Sequence, residues 1–248
     1  MLKKNLVLAA SCLSLTTAIL GSGYDSQPAR ASSSQPATSQ PATSQPAPSA
    51  KAQKVDQLKE SAAKKSEQND FAGAIADYSA ALKLDPQNIE LYELRAYLHN
   101  FTNDYKSAIA GLTQAIKVHP KAPNLHASRA VNRIAMGDAK GGIADLTTEF
   151  KLNKPENLAG LYAIRARAYQ SLGEHQQAIA DFSQELTFKD PVSIANSGVI
   201  LSDRATSHLK LGHKKAAIQD LKAALELFKK DGLDGNQQET LERLKALE

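Results

Sequence analysis

From about residue 54 onward, apolar and polar residues follow a helical period, and that pattern itself recurs every 34 residues or slightly more. Aligned on this unit, five copies begin near Val55, Ile89, Pro123, Ala159 and Gly198, spaced by 34, 34, 36 and 39 residues. The eighth position is alanine in every copy: Ala62, Ala96, Ala130, Ala166 and Ala205. The twentieth is always small (Ala74, Ala108, Gly142, Ala178, Ala217) and the twenty-first always isoleucine (Ile75, Ile109, Ile143, Ile179, Ile218). The twenty-fourth is always large and apolar: Tyr78, Leu112, Leu146, Phe182 and Leu221. Several positions agreeing in register over five copies mark a repeat architecture, in which each unit covers the apolar face of the one before.

Each unit divides at a turn: Asn69-Asp70, Asn103-Asp104, Gly137-Asp138, Gly173-Glu174 and Gly212-His213. Glycine and asparagine suit the left-handed residue that ends a helix. An aspartate beside them can cap the next helix and complements its positive end. The pattern therefore predicts helix pairs, with the small eighth and twentieth residues allowing close approach and the twenty-fourth filling the space beside them. In these registered positions the chain resembles the tetratricopeptide repeat family, over residues 55 to about 231. Pro86 and Pro120 close the first two units as that family's pattern does. The resemblance implies an all-α, right-handed α-solenoid of about five helix-turn-helix units spanning residues 54–231. Residues 232–248 are expected to form a capping helix, with Leu241, Leu244 and Leu247 on its inner stripe.

The first 53 residues are of another kind. Lys3 and Lys4 precede an uncharged apolar stretch from Leu6 to Leu20, which is short for a membrane span and fits a secretory signal peptide. Ala29-Arg30-Ala31 offers a small-x-small cleavage pattern, placing the signal at residues 1–31, and Gly21-Ser22-Gly23 is a nearer alternative. Two other readings stay open: a lipobox-like Ala10-Ser11-Cys12 in which Cys12 carries lipid, and an uncleaved anchor. Residues 32–53 form a linker built on a repeated Ser-Gln-Pro-Ala-Thr motif, with too little apolar bulk to offset the entropy of ordering.

Charge changes the picture once it is divided the same way. The formal net charge is +4, but four of the 30 basic residues and one of the 26 acidic ones precede residue 54. The repeats are therefore near neutral, and no basic stripe for nucleic acid remains. The lone cysteine, Cys12, lies in the signal, so the repeats contain no thiol for a disulfide, a metal or a nucleophile.

Candidate chemistry is sparse. No metalloprotease histidine pair, calcium loop, phosphate loop or nucleophile elbow is present, so no cofactor, metal or enzymatic activity is expected. His208 and His213, five apart around the last turn, are a weak metal candidate. Arg95, Arg129, Arg165 and Arg204 share the seventh position, and Asp77, Asp145, Asp181 and Asp220 the twenty-third. Repeated four times, they fit a ladder of ion pairs rather than an active site. Glu149 and Glu185 break the small twenty-seventh position held by Ala81, Ala115 and Ala224. The preferred reading is that stacking loosens there and both carboxylates reach solvent; a functional acidic pair is the other.

The resemblance further implies a concave face lined by the first helices, on which a partner peptide or helix lies. The residues it nominates include Glu93, Tyr97, Asn100, Asn124, Val131, Ile164, Arg167 and Gln170, with Tyr97 and Arg167 as anchors. The basic clamp that some family members use for a carboxyl terminus is not reproduced: the corresponding residues are Lys59, Ala63, Leu94, Asn124 and Ser128, of which only Lys59 agrees. The expected function is an exported scaffold, periplasmic, secreted or envelope-associated, that binds a protein partner and touches a membrane only through its N-terminal segment. A membrane-anchored carrier or adhesin is the alternative, and an enzyme subunit a further one.

Overall fold

The computed structural model describes residues 49–154, 158–188 and 191–247, without the side chains of 191–195. The proposed signal, Cys12 and nearly all of the linker lie outside the described residues. Among those described there are eleven helices and no strand. They run α1 (Ala50–Glu67), α2 (Phe71–Leu84), α3 (Ile89–Phe101), α4 (Tyr105–Val118), α5 (Leu125–Ala135) and α6 (Ala139–Leu152). Then follow α7 (Leu161–Ser171), α8 (His175–Glu185), α9 (Pro191–Lys210), α10 (Lys214–Lys230) and α11 (Asp234–Lys245). Helices α1 to α10 form five pairs, each packed within itself and against the next.

The turn chemistry behaves as the sequence implies. Asn69, Asn103, Gly137, Gly173 and Gly212 have positive φ, between 60° and 88°. Asp70, Asp104 and Asp138 accept hydrogen bonds from the backbone N–H of Gly73, Ser107 and Gly141, capping α2, α4 and α6. Helices α8 and α10, which begin after Glu174 and His213, have no side-chain cap.

The eighth- and twentieth-position residues are all buried, as are the five large residues at the twenty-fourth. At Gly142 even a methyl group is excluded, because a Cβ there would lie 2.4 Å from Ile134 Cγ1 and 3.1 Å from the Ala130 carbonyl. The core runs along the stack as successive buried clusters, from Val55 in α1 to Leu244 in α11. In units two to five, the first helices of successive units touch more closely than the second helices do, so the stack curves with α3, α5, α7 and α9 on its inner side.

Helix α11 packs on α10, and Arg243 fastens it to α9 by donating to Ser202 Oγ at 2.6 Å and Thr206 Oγ1 at 2.8 Å. Leu244 is buried, whereas Leu241 is 37% exposed, so the expected leucine stripe faces inward only in part.

Two boundaries differ from the expectation. Residues 50–53 belong to α1 rather than to the linker, because Ser49 accepts from the Ala52 N–H and starts the helix there. The insertion before the fifth unit, where the Asp190-Pro191 pair in the sequence suggests a bend, is helical from residue 191: α9 opens on Pro191, whose fixed φ suits a first helical residue, and runs 20 residues.

Candidate interaction face

Two side-chain networks set the shape of the inner face. The first is the arginine ladder. Arg129, Arg165 and Arg204 each hold the aspartate sixteen residues on through Nε and Nη2, in bidentate pairs with Asp145, Asp181 and Asp220 at 2.7–2.9 Å. The planar guanidinium matches both carboxylate oxygens at once. The remaining nitrogen reaches the preceding unit: Nη1 of Arg95, Arg129, Arg165 and Arg204 donates to Ser79, Thr113, Thr147 and Ser183. These hydroxyls share the twenty-fifth position, a regularity that was present in the sequence and overlooked. The ladder thus ties units three to five internally and joins each unit to the one before it.

The second unit departs from this arrangement, because Gly111 stands where the aspartate would be. Arg95 has no carboxylate partner among the described residues; it donates to Ser79 and lies 5.7 Å from the Tyr92 ring. Burial accordingly lowers its pKa, whereas at Arg165 burial is outweighed by the hydrogen bond and charge of Asp181 and the pKa rises. A Cβ on Gly111 would meet only the flexible Arg95 head, 3.2 Å away. Gly111→Asp is therefore expected to complete the pair and stabilise the protein by about 1 kcal/mol, through the ion pair and the lost glycine penalty. An unfolding midpoint in urea unchanged or lowered would count against the ladder as a source of stability.

The second network corrects the expectation for Glu149 and Glu185, which are 0% and 1% exposed rather than solvated. Glu149 accepts from the backbone N–H of Asn124 at 2.6 Å and of Ala127 at 3.0 Å, and from Asn153 Nδ2. Glu185 accepts from the N–H of Gly160 at 2.8 Å and Ala163 at 3.3 Å. Each is the cap of its partner helix, α5 or α7, supplied from across the pair. The reason is local: Asn124 and Gly160 sit at the N-cap with positive φ, 68° and 82°, and make no side-chain cap. Helices α1 and α3 are capped by their own Ser49 and Asn88, and there the twenty-seventh position stays alanine. The positive helix end and the paired N–H groups are what make a buried carboxylate tenable.

The nominated face residues fall into three groups. Val131 and Ile164 are buried at 0% and 3% in one shared core cluster, where α5 and α7 lie in contact; they offer no surface, contrary to expectation. Asn100 is buried too, donating to Asn132 Oδ1, and Asn124 serves through its backbone. Arg167 and Gln170 are engaged between units, Arg167 with Asp203 at 2.9 Å and Gln170 with the Asp203 carbonyl and Ser207 Oγ.

Glu93 and Tyr97 remain. Tyr97 is half-buried beside Phe101, which packs against Phe71 in a tilted arrangement with ring centroids 4.8 Å apart and is itself 43% exposed. Phe101 was not nominated, although an aromatic residue just before a turn is a visible signal.

Glu93 has no cation partner among the described residues. Burial, and then the charges of Glu90 and Glu149, push its pKa up to about 7. Between its ordinary value of 4.5 and that value, the folded state holds a proton that the unfolded chain releases, so stability falls as pH rises through this window. Glu93→Gln, which cannot titrate, is expected to gain on the wild type between pH 5 and pH 8. Urea midpoints that differ by the same amount at both pH values would contradict this.

The fold and these networks define a helical-repeat solenoid with a polar and aromatic inner face. Family models match parts of the stack: the one described as TPR repeat matches residues 66–100, and the one described as Tetratricopeptide repeat matches residues 159–185 and 200–231. Among solved structures, the chain is similar to the MamA protein at 20% identity and a TM-score of 0.63, covering 73% of this chain and 94% of that one. MamA from Desulfovibrio magneticus aligns at 10% identity and 0.62, over 71% and 96%. YrrB, described as a TPR protein with an unusual peptide-binding site, aligns at 17% identity and 0.56, over 72% and 92%. No curated protein sequence matches the chain.

Proposed function

We propose that this chain is an exported scaffold that holds a protein partner, as an extended peptide or helix, against the inner face of its repeats. The observation that carries this reading is Glu93: a half-buried carboxylate with no cation partner among the described residues, one helical turn before Tyr97, which in turn lies beside the exposed Phe101. A partner that brings a cationic side chain next to an apolar one satisfies both features at once. Lys59 is already taken by Glu90, so the second carboxylate of this face is neutralised and Glu93 is left as the specificity element. The peptide-binding site attributed to YrrB belongs to a protein of the same fold and lends the reading support of that kind only.

Export rests on the N-terminal sequence: Lys3 and Lys4, the apolar Leu6–Leu20 stretch and the proline-rich spacer. No described helix is long and apolar enough to cross a membrane.

The test is affinity capture from an envelope extract of the source organism with the full chain as bait, beside Glu93→Lys and a surface control, Glu242→Lys. A protein held by the wild type and the control but released by Glu93→Lys supports the reading. Identical capture by all three baits removes the inner face from it. Mass spectrometry of the chain recovered from the same envelope addresses export separately. A new N-terminus near Ala31 supports a cleaved signal, lipid on Cys12 the anchored alternative, and an intact Met1 in the cytosol neither.

A further inference from the structure

Away from the inner face, the turn of the fifth unit brings two imidazoles together. His208 lies on the last turn of α9, His213 immediately precedes α10, and the chain reverses between them through Gly212 at φ 76°. The two Nδ1 atoms are 3.5 Å apart, and the ring planes are tilted by 49°. Two nitrogens bound at about 2.0–2.1 Å to one tetrahedral ion lie about 3.3 Å apart, so this separation is close to that of two ligands on a single metal.

The surroundings select the tautomer that such a site needs. His208 Nε2 faces Asp220 Oδ2 at 3.9 Å. That carboxylate favours the proton on Nε2 and leaves the Nδ1 lone pair turned toward His213, the way outer carboxylates orient metal-binding histidines. Asp220 is not a ligand itself, since both of its oxygens are held by Arg204. His213 is exposed, and among the described residues no third histidine, cysteine, aspartate or glutamate joins the pair to make a closed site. The remaining coordination positions therefore belong to water. The contact has a competing use, a hydrogen bond from His213 Nδ1–H to the bare Nδ1 of His208, which a metal ion displaces as the His213 proton moves from Nδ1 to Nε2.

We infer that His208 and His213 form an open, two-imidazole site for a divalent transition-metal ion, one that clips the end of α9 to the start of α10. Imidazole nitrogens favour copper(II), nickel(II) and zinc(II) over magnesium or calcium, and copper(II) binds most tightly of the first-row series. The inference is independent of partner binding on the inner face.

The experiment is isothermal titration of the full chain with nickel(II), and with magnesium as the hard-ion comparison, in a non-coordinating buffer. The proteins are wild type, His213→Ala, His208→Gln and, as a control, His119→Ala, which alters a histidine in another unit. The expected result is one saturable nickel(II) site in the wild type and in His119→Ala, weakened at least about tenfold in the other two variants. Copper(II) bound to the wild type should show two nitrogen couplings by electron paramagnetic resonance, and His213→Ala one fewer. Equal nickel(II) affinity in wild type and His213→Ala, or no saturable site in the wild type, overturns the inference. Circular dichroism checks that each variant folds, which the exposed position of His213 favours.

Discussion

Glu149→Ala is expected to destabilise the protein by about 3 kcal/mol, because it strips a buried helix end of its only side-chain acceptor. The alanine itself fits, as Ala81, Ala115 and Ala224 do at the same position. What is lost is the acceptor for the N–H groups of Asn124 and Ala127 and for Asn153 Nδ2. Asn124 cannot replace it from its left-handed conformation. Glu149→Gln keeps one carbonyl oxygen but turns an amide N–H₂ toward donors, so a loss of about half that size is expected. Urea unfolding measures the total, and hydrogen exchange locates it. If the amides of Asn124 and Ala127 stay protected in Glu149→Ala, the cap is dispensable and the assignment is wrong. The same substitution removes one of the charges that raise the Glu93 pKa, so the Glu93 titration should move toward more acidic pH.

Asp145→Ala should be at least as damaging, about 3–4 kcal/mol, because two arginines depend on it. Arg129 holds both of its oxygens and Arg133 Nη1 adds a third contact at 2.9 Å, while only 5% of the Asp145 side chain is exposed. Removing one member of such a group leaves a buried guanidinium without its counter-charge. Replacing Arg129 with methionine in the same chain removes that burden, and the double variant is expected to recover part of the loss. If Asp145→Ala alone shifts the urea midpoint by no more than an exposed ion pair would, such as Lys64–Glu60, the ladder is decorative.

The parts of this fold that could be read from the sequence are those fixed by short-range chemistry. Asn69, Asn103 and the three turn glycines announced left-handed helix ends, and the registered alanines announced close packing. The pairing of Arg129, Arg165 and Arg204 with their aspartates was visible as a constant spacing. What escaped depended on backbone conformation or on neighbouring helices. Asn124 looks like an ordinary helix cap; only its positive φ shows why Glu149 must do that work. Asp190-Pro191 looks like a bend, although proline equally begins a helix, as it does in α9. The inner-face residues nominated from the resemblance assume that every unit is rotated alike. Close approach of α5 and α7 instead withdraws Val131 and Ile164 into the core, while Phe101, which was not nominated, is exposed.

Because each ladder arginine donates to a hydroxyl of the unit before it, the strength of each junction along the stack depends on how firmly its arginine is anchored. Arg129, Arg165 and Arg204 are held by aspartates, and Arg95 is not. In the first unit Ser61 replaces the arginine, and Asp77 turns instead to Ser61 and Lys65. Within the ladder the joint between the first and second units is thus the least anchored, although Lys59–Glu90 also crosses it, and this favours an origin of unfolding at that end. Fraying should start at α1 and α2 and advance toward the C-terminus, giving the chain a polarity of local stability in which its amino-terminal pair opens while the rest stays closed. The part most able to rearrange is then the end that follows the Ser-Gln-Pro-Ala-Thr repeats in the chain, and the far end is the rigid one.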